Sequence, residues 1–321
     1  MTRFKNMTAL ILSLIVPVSL AGCSTGDTKK DDGTYTVGIV QLVEHNALDS
    51  ATEGFKDALE EKLGDKVKFD FQNAQGEQTN AATIVTKFVN DGVDLIMANA
   101  TNAVKAAREA TSDIPIVGTS VTDYVESGLI ASDEAPGENL TGASDNNPVE
   151  VQVELMGELA PEVKTVGIVY SSSEENSKIQ ADEAQAAFEA KGYTVKQYTA
   201  ADSNELQSVV TAAASEVDAF YEPTDNLVAA NMEIIKNVTV PAGKPVITGE
   251  QSMAEVGGLA TYSIDYYDLG YEAGLMAHDI LVNGKDPGEM PIFHFDTSNL
   301  KLYINEEIAE ELGITIPDSL K

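Results

Sequence analysis

The chain has one cysteine, three histidines and no tryptophan in 321 residues. A single cysteine excludes an internal disulfide, and the scattered histidines His45, His278 and His294 lack the spacing of a zinc site. Basic residues are scarce as well: 20 Lys and Arg stand against 52 Asp and Glu, a formal net charge of -32. A field of that sign repels phosphate backbones, so no nucleic-acid partner is expected. No apolar stretch reaches the roughly 20 residues of a membrane-spanning helix. Catalytic signatures are missing too. No Gly-x-Gly-x-x-Gly follows the first strand, and Gly243-Lys244-Pro245 lacks the glycines and hydroxyl of a phosphate loop. Gly118-Thr119-Ser120-Val121-Thr122 fails the nucleophile elbow at its last position. Acidic pairs such as Glu60-Glu61, Glu174-Glu175 and Glu306-Glu307 read as solvated helix faces. The expectation is a protein that binds without a cofactor, a metal or catalytic residues.

What is present begins at the N-terminus. Arg3 and Lys5 precede a short apolar run from Met7 to Leu20, the layout of a secretory signal. Leu20-Ala21-Gly22-Cys23 then matches the lipobox of bacterial lipoproteins, in which the bond before the cysteine is cut and the cysteine is acylated. Residues 1–22 are expected to be a signal peptide, Cys23 the lipidation site and residues 23–34 a flexible tether. The body is then expected outside the cytoplasm, held by lipid to the outer face of the cell membrane or periplasmic.

With 43% hydrophobic residues the rest of the chain can form sizeable cores. Short β-branched runs alternate with amphipathic patterns. Strands are expected at 36–40, 67–71, 94–98 and 114–118, with helices at 47–63, 77–90 and 102–110. The pattern restarts at 165: Thr165-Val166-Gly167-Ile168-Val169 repeats Thr36-Val37-Gly38-Ile39-Val40 letter for letter. Helix 178–190, strand 194–198, helix 205–214 and strands 219–221 and 245–248 follow. Such units call for parallel sheets covered by helices. The expected fold is α/β, two Rossmann-like lobes joined by a three-segment hinge. The first lobe takes 35–142 plus 264–293 and the second 143–263 plus 294–321. A strand at 259–265 and a helix at 267–281 are expected to complete the first lobe.

In open parallel sheets, ligands sit beyond the carboxyl ends of the strands, near helix N-termini. The residues past those ends are strongly polar. They include His45, Ser120 and Asn226, and the candidate ligand-binding set drawn from them and nearby positions is Gln41, Glu44, Asn73, Thr101, Thr119, Asp145, Ser172, Ser173, Asn176, Ser177, Thr224, Asp225 and Glu250. The serines before the helix at Asn176 suit a carboxylate at a helix N-terminus. Asp225, Asp145 or Glu250 is a candidate partner for an ammonium group. Tyr124, Tyr170, Tyr221 and Tyr266 lie near strand ends, placed to pack on an apolar or aromatic group. These features describe an amino-acid pocket, and the same residue types also suit sugar hydroxyls.

Lipobox, tether and paired βα lobes together resemble the substrate-binding lipoproteins of ABC importers, in the type I periplasmic-binding-protein class. Gln41-Leu42-Val43-Glu44-His45, Asp70-Phe71-Gln72-Asn73-Ala74-Gln75-Gly76, Ser144-Asp145, Tyr170-Ser171-Ser172-Ser173-Glu174-Glu175-Asn176-Ser177, Tyr221-Glu222-Pro223-Thr224-Asp225-Asn226 and Ser263-Ile264-Asp265-Tyr266-Tyr267-Asp268-Leu269-Gly270 resemble, more narrowly, the family linked to tryptophan and tyrosine uptake. The resemblance implies a monomer that captures an aromatic amino acid and delivers it to permease and ATPase subunits. A sugar or nucleoside receptor of the same fold, and a ligand sensor without transport, are the alternatives.

Overall fold

The computed structural model describes residues 33–321; the expected signal peptide, Cys23 and nearly all of the expected tether lie outside the described residues. The chain runs β1 (Tyr35–Gln41), α1 (Asn46–Leu63), β2 (Val67–Asn73), α2 (Gln78–Asp91), β3 (Leu95–Asn99), α3 (Thr101–Ala110), β4 (Ile116–Val121) and β5 (Leu140–Ser144). It continues with α4 (Val149–Leu159), β6 (Thr165–Ser171), α5 (Glu175–Ala190), β7 (Thr194–Ala200), α6 (Ser203–Ala214), β8 (Ala219–Glu222), α7 (Asn226–Ala230), α8 (Met232–Thr239), β9 (Val246–Thr248), α9 (Gln251–Val256) and β10 (Ala260–Ser263). α10 (Tyr266–Asn283), β11 (Phe293–His294), β12 (Lys301–Ile304) and α11 (Glu306–Glu311) complete it.

Two six-stranded sheets result, in the orders β11-β5-β4-β3-β1-β2 and β12-β10-β9-β8-β6-β7. All pairings are parallel except β10 with β12. The central strands read as continuous apolar runs because helices cover both faces of each sheet. Two apolar clusters flank the first sheet, one around Phe88, Ile96 and Tyr124 and one around Phe55, Leu95 and Leu269. Two more flank the second, around Phe188 and Tyr221 and around Phe220 and Ile235.

The repeated motif occupies equivalent places, since β1 and β6 each sit between the second strand and the third strand of their sheet. Three differences from the sequence expectation concern the crossings. β5 pairs with β4 through Ser144, so the chain stays in the first sheet past residue 142. The strand expected at 259–265 is β10, which pairs with β9 and β12 in the second sheet; only the helix after it, α10, packs on the first lobe, against α1. β11 pairs with β5, which carries the first lobe through His294. The physical reason is that a short buried strand carries no mark of which sheet it joins. The α1–α10 packing is close enough that Gly54 and Gly270 face backbone directly, Gly54 toward Tyr267 O and Gly270 toward Ala51 O. A side chain at either position would collide with the opposite helix.

Candidate functional site

The carboxyl ends of both sheets face one another across the hinge. An interlobe cavity lies there, closed down to about 10 Å³, far below the roughly 300–1,000 Å³ range of open ligand pockets. The first lobe and the hinge contribute His45, Ala47, Leu48, Ser120, Asp145 and Tyr266; the second contributes Asn176, Thr224, Asp225, Asn226, Ala229, Glu250 and Met253. Contacts between the lobes surround it. His45 Nε2 is 3.2 Å from Asn226 Oδ1, Asn102 Nδ2 donates to Ser173 O at 3.3 Å, and Thr122 Oγ1 is 3.5 Å from Thr224 Oγ1. The lobes are closed on each other.

Four side-chain atoms around the cavity are buried without a hydrogen-bond partner: His45 Nδ1, Ser120 Oγ, Asp145 Oδ1 and Asn176 Oδ1. Such groups cost about 1–3 kcal/mol each unless something satisfies them. A wider groove of about 670 Å³ runs along the chain crossings past Pro148, Glu183, His294 and Phe295. Its lining carries a single atom of that kind, Asn147 Oδ1, so the interlobe cavity is the better-built site.

Asp145 is the pivotal group. It follows β5 at the first crossing and is only 4% exposed. Its Oδ2 accepts the Tyr266 hydroxyl at 2.7 Å, which leaves Oδ1 free of partners. Burial pushes its pKa up to about 6, so the carboxylate is ionised at neutral pH. No lysine or arginine lines the cavity. A buried carboxylate with a free oxygen and no cation among its neighbours is able to accept a positively charged group.

The two other acids proposed for that role have local duties. Asp225 caps α7, accepting Val228 N at 2.8 Å and Ser171 N at 2.7 Å. Glu250 caps α9, accepting Ser252 N, Met253 N and the Ser252 hydroxyl at 2.6–2.9 Å. Both still line the cavity, and burial pushes Glu250 up to about 7 and Asp225 above its usual range. Behind them Glu174 accepts Asn226 N and Nδ2 and Leu227 N, with its pKa raised to about 8 by burial and then by Asp225. Glu222 is fully buried with neither oxygen paired, and burial raises its pKa well above the carboxylate range.

Of the thirteen candidate residues the cavity gathers Asp145, Asn176, Thr224, Asp225 and Glu250. Ser177 is one step back, its hydroxyl accepting Asn176 Nδ2. Gln41 is a strut inside the first lobe, bonded to Val43 O, Asp49 and Thr52. Glu44 is exposed, and Asn73 caps a turn through Gln75 N. Thr101 and Thr119 are buried with unpaired hydroxyls but do not line the cavity. Ser172 and Ser173 are exposed at the start of α5, and its N-cap is Glu174 rather than a serine, so the expected carboxylate cradle is not there. Of the four tyrosines only Tyr266 reaches the cavity; Tyr124 and Tyr221 are core residues and Tyr170 bonds Gln197.

His45, Ser120, Leu48 and Met253 belong to the lining but not to the candidate set. Leu48 and Met253 look like any core residue in sequence. Ser120 has φ 55, left-handed for a residue with a side chain, a strain of the kind that collects at binding sites. No sequence signal announces that conformation.

Comparison with known proteins agrees with this architecture. The ABC transporter substrate binding protein family matches residues 36–321. A tyrosine-binding protein of Clostridioides difficile is 39% identical over 98% of this chain and 94% of its own length. Among solved structures, an ABC domain in complex with L-Trp from Streptococcus pneumonia is 40% identical, covers 89% of this chain and 97% of that one, and superposes with a TM-score of 0.86. The ligand-free, open structure of a substrate-binding protein with adhesive properties from Clostridium difficile has the same coverages at 39% identity, yet a TM-score of 0.67. Near-equal identity with unequal superposition fits the closed lobes seen here. Two parallel-sheet lobes, an interlobe cavity and a family match along the whole described body place the chain in the family of ABC transporter substrate-binding proteins.

Proposed function

We propose that the protein captures a free aromatic L-amino acid outside the cytoplasm and delivers it to an ABC importer, tethered by lipid on Cys23. The observation that carries this reading is Asp145: a buried, ionised carboxylate with one free oxygen in a cavity lined by no lysine or arginine. An α-ammonium group supplies the missing cation. The Ser120 hydroxyl is the group available to donate to the ligand carboxylate, and Leu48, Ala229, Met253 and Tyr266 offer apolar surface for a ring. The relatives that bind tyrosine and hold L-Trp support the aromatic class.

The mechanism is capture and release without bond-making. A ligand that touches both lobes favours the closed form by its differential affinity for it. The closed protein is the form presented to the permease, where the ATPase subunit supplies the work. A thermal-shift screen against amino acids, sugars and nucleosides tests the ligand class. An aromatic amino acid should raise the midpoint by mass action, and a shift with sugars or nucleosides alone would reject the reading. Chemically altered ligand after long incubation would reject the absence of catalysis. Cys23→Ala should move the protein from the membrane fraction to the soluble one.

A further inference from the structure

The contacts between the lobes are not all at the ligand cavity. Asn102 Nδ2 donates to Ser173 O at 3.3 Å, and Lys105 Nζ lies 3.3 Å from Glu175 Oε2. None of these four residues lines the interlobe cavity. Among the ion pairs of the described residues, Lys105–Glu175 is the one that joins a helix of the first lobe, α3, to a helix of the second, α5.

Both partners are held firmly by their own lobe. α3 buries Ala103, Val104, Ala106 and Ala107 in the first lobe's core, so Asn102 and Lys105, three positions apart, share its outer face. The start of α3 is fixed by Ala100, which has φ 88 and donates its N–H to Thr119 O at 3.0 Å. A residue with a side chain rarely adopts that conformation, and it persists only where the surrounding structure over-determines it. On the other side, Ser173 and Glu175 flank Glu174, which is buried and accepts Asn226 N, Asn226 Nδ2 and Leu227 N. That anchor makes a pull on Ser173 or Glu175 a pull on the second lobe as a whole. Glu175 opens α5, where the helix dipole favours a negative charge. Both lobes carry a large excess of acids, so their fields oppose closure, and Lys105 sets a positive charge against that repulsion.

We propose that Asn102 and Lys105 clasp Ser173 and Glu175 when the lobes close, and that this clasp sets how long a captured ligand is held. Parting the lobes breaks both contacts, so the clasp stabilises the closed form alone. A ligand enters the open form, so its entry rate is untouched and its escape is slowed. The inference needs a ligand that closes the lobes, and it does not depend on the aromatic reading.

The test is stopped-flow dilution of the L-tryptophan complex, whose fluorescence is free of protein background because the chain has no tryptophan. Lys105→Ala should speed escape by roughly 1.5- to 5-fold, the range of an exposed ion pair, and leave entry unchanged. Adding Asn102→Ala should speed it further. Lys105→Glu and Glu175→Lys should each release ligand faster than Lys105→Ala, and the exchanged pair, Lys105→Glu with Glu175→Lys, should be slower than either reversal. Glu175→Lys separates the clasp from the overall field, because it makes the protein less acidic and yet should quicken escape. In 1 M salt the wild type and Lys105→Ala should converge. Unchanged escape in Lys105→Ala overturns the inference, as does slower escape in Glu175→Lys or no recovery in the exchanged pair. If L-tryptophan does not bind, the amino-acid reading loses its support, and X-ray scattering of the ligand-free protein decides the clasp. Lys105→Glu should then enlarge the radius of gyration and the exchanged pair restore it, whereas equal radii overturn the clasp.

Discussion

Replacing Asp145 with asparagine should move stability and binding in opposite directions. The amide keeps an oxygen to accept the Tyr266 hydroxyl, now at 2.7 Å from Oδ2, and removes the buried charge. Burial raises the Asp145 pKa from 3.8 to about 6, and at about 1.36 kcal/mol per unit the ionised form costs on the order of 3 kcal/mol at neutral pH. Part of that returns as stability once the charge is gone, roughly 1–3 kcal/mol, or a melting midpoint roughly 2–8 °C higher without ligand. Ligand binding loses one partner of a buried charge pair, about 2–5 kcal/mol, which is roughly 30- to 5,000-fold in affinity. Differential scanning calorimetry and titration calorimetry on the same preparation read both quantities. A variant that is both less stable and normal in affinity would refute the reasoning, because Asp145 would then be a structural acid.

Ligand affinity should fall as pH drops below about 6, approaching tenfold per unit, because protonated Asp145 no longer pairs with an ammonium group. The ligand-free protein should show the reverse trend. Asp145, Glu250 and Glu174 have folded pKa values of about 6, 7 and 8, raised above their unfolded values. The folded state then holds more protons between about pH 4 and 8, so stability declines as pH rises through that window, and a midpoint rising over it would contradict the burial argument. Gly270→Ala should destabilise the protein by about 1–3 kcal/mol, since its methyl group meets Ala51 O across the α1–α10 contact; an unchanged denaturation midpoint would show that the helices separate freely. A net charge of -32 repels itself, so adding salt from 0.05 to 1 M should raise the midpoint as the screening length shrinks from above 10 Å to about 3 Å; a flat response would mean the charges are already screened.

Much of the fold was legible because buried parallel strands and amphipathic helices write different periods into the sequence. The Thr-Val-Gly-Ile-Val repeat located both β1 and β6, and the helix starting near Ala47 begins at Asn46. The stretch between β4 and β6 was not legible: β5 is short and fully buried, and α4 carries only a weak amphipathic stripe. β10 went to the wrong lobe because sheet membership is decided by tertiary pairing. At the site, Asp145, Asp225 and Glu250 look alike in sequence, since an acid after a strand serves equally as a helix cap or as a ligand contact. Only geometry separates them, by showing which oxygens the backbone has already claimed. His45 was visible as a polar residue past the first strand but stayed out of the candidate set, because its contact with Asn226 on the other lobe, 181 positions away, leaves no mark in the sequence.

The most direct measurement is a crystal structure of the protein grown with L-tyrosine. The account predicts one tyrosine between the lobes, its ammonium group within hydrogen-bond distance of Asp145 Oδ1. Tyrosine bound elsewhere, or lying in the cleft with its ammonium group away from Asp145, would contradict it.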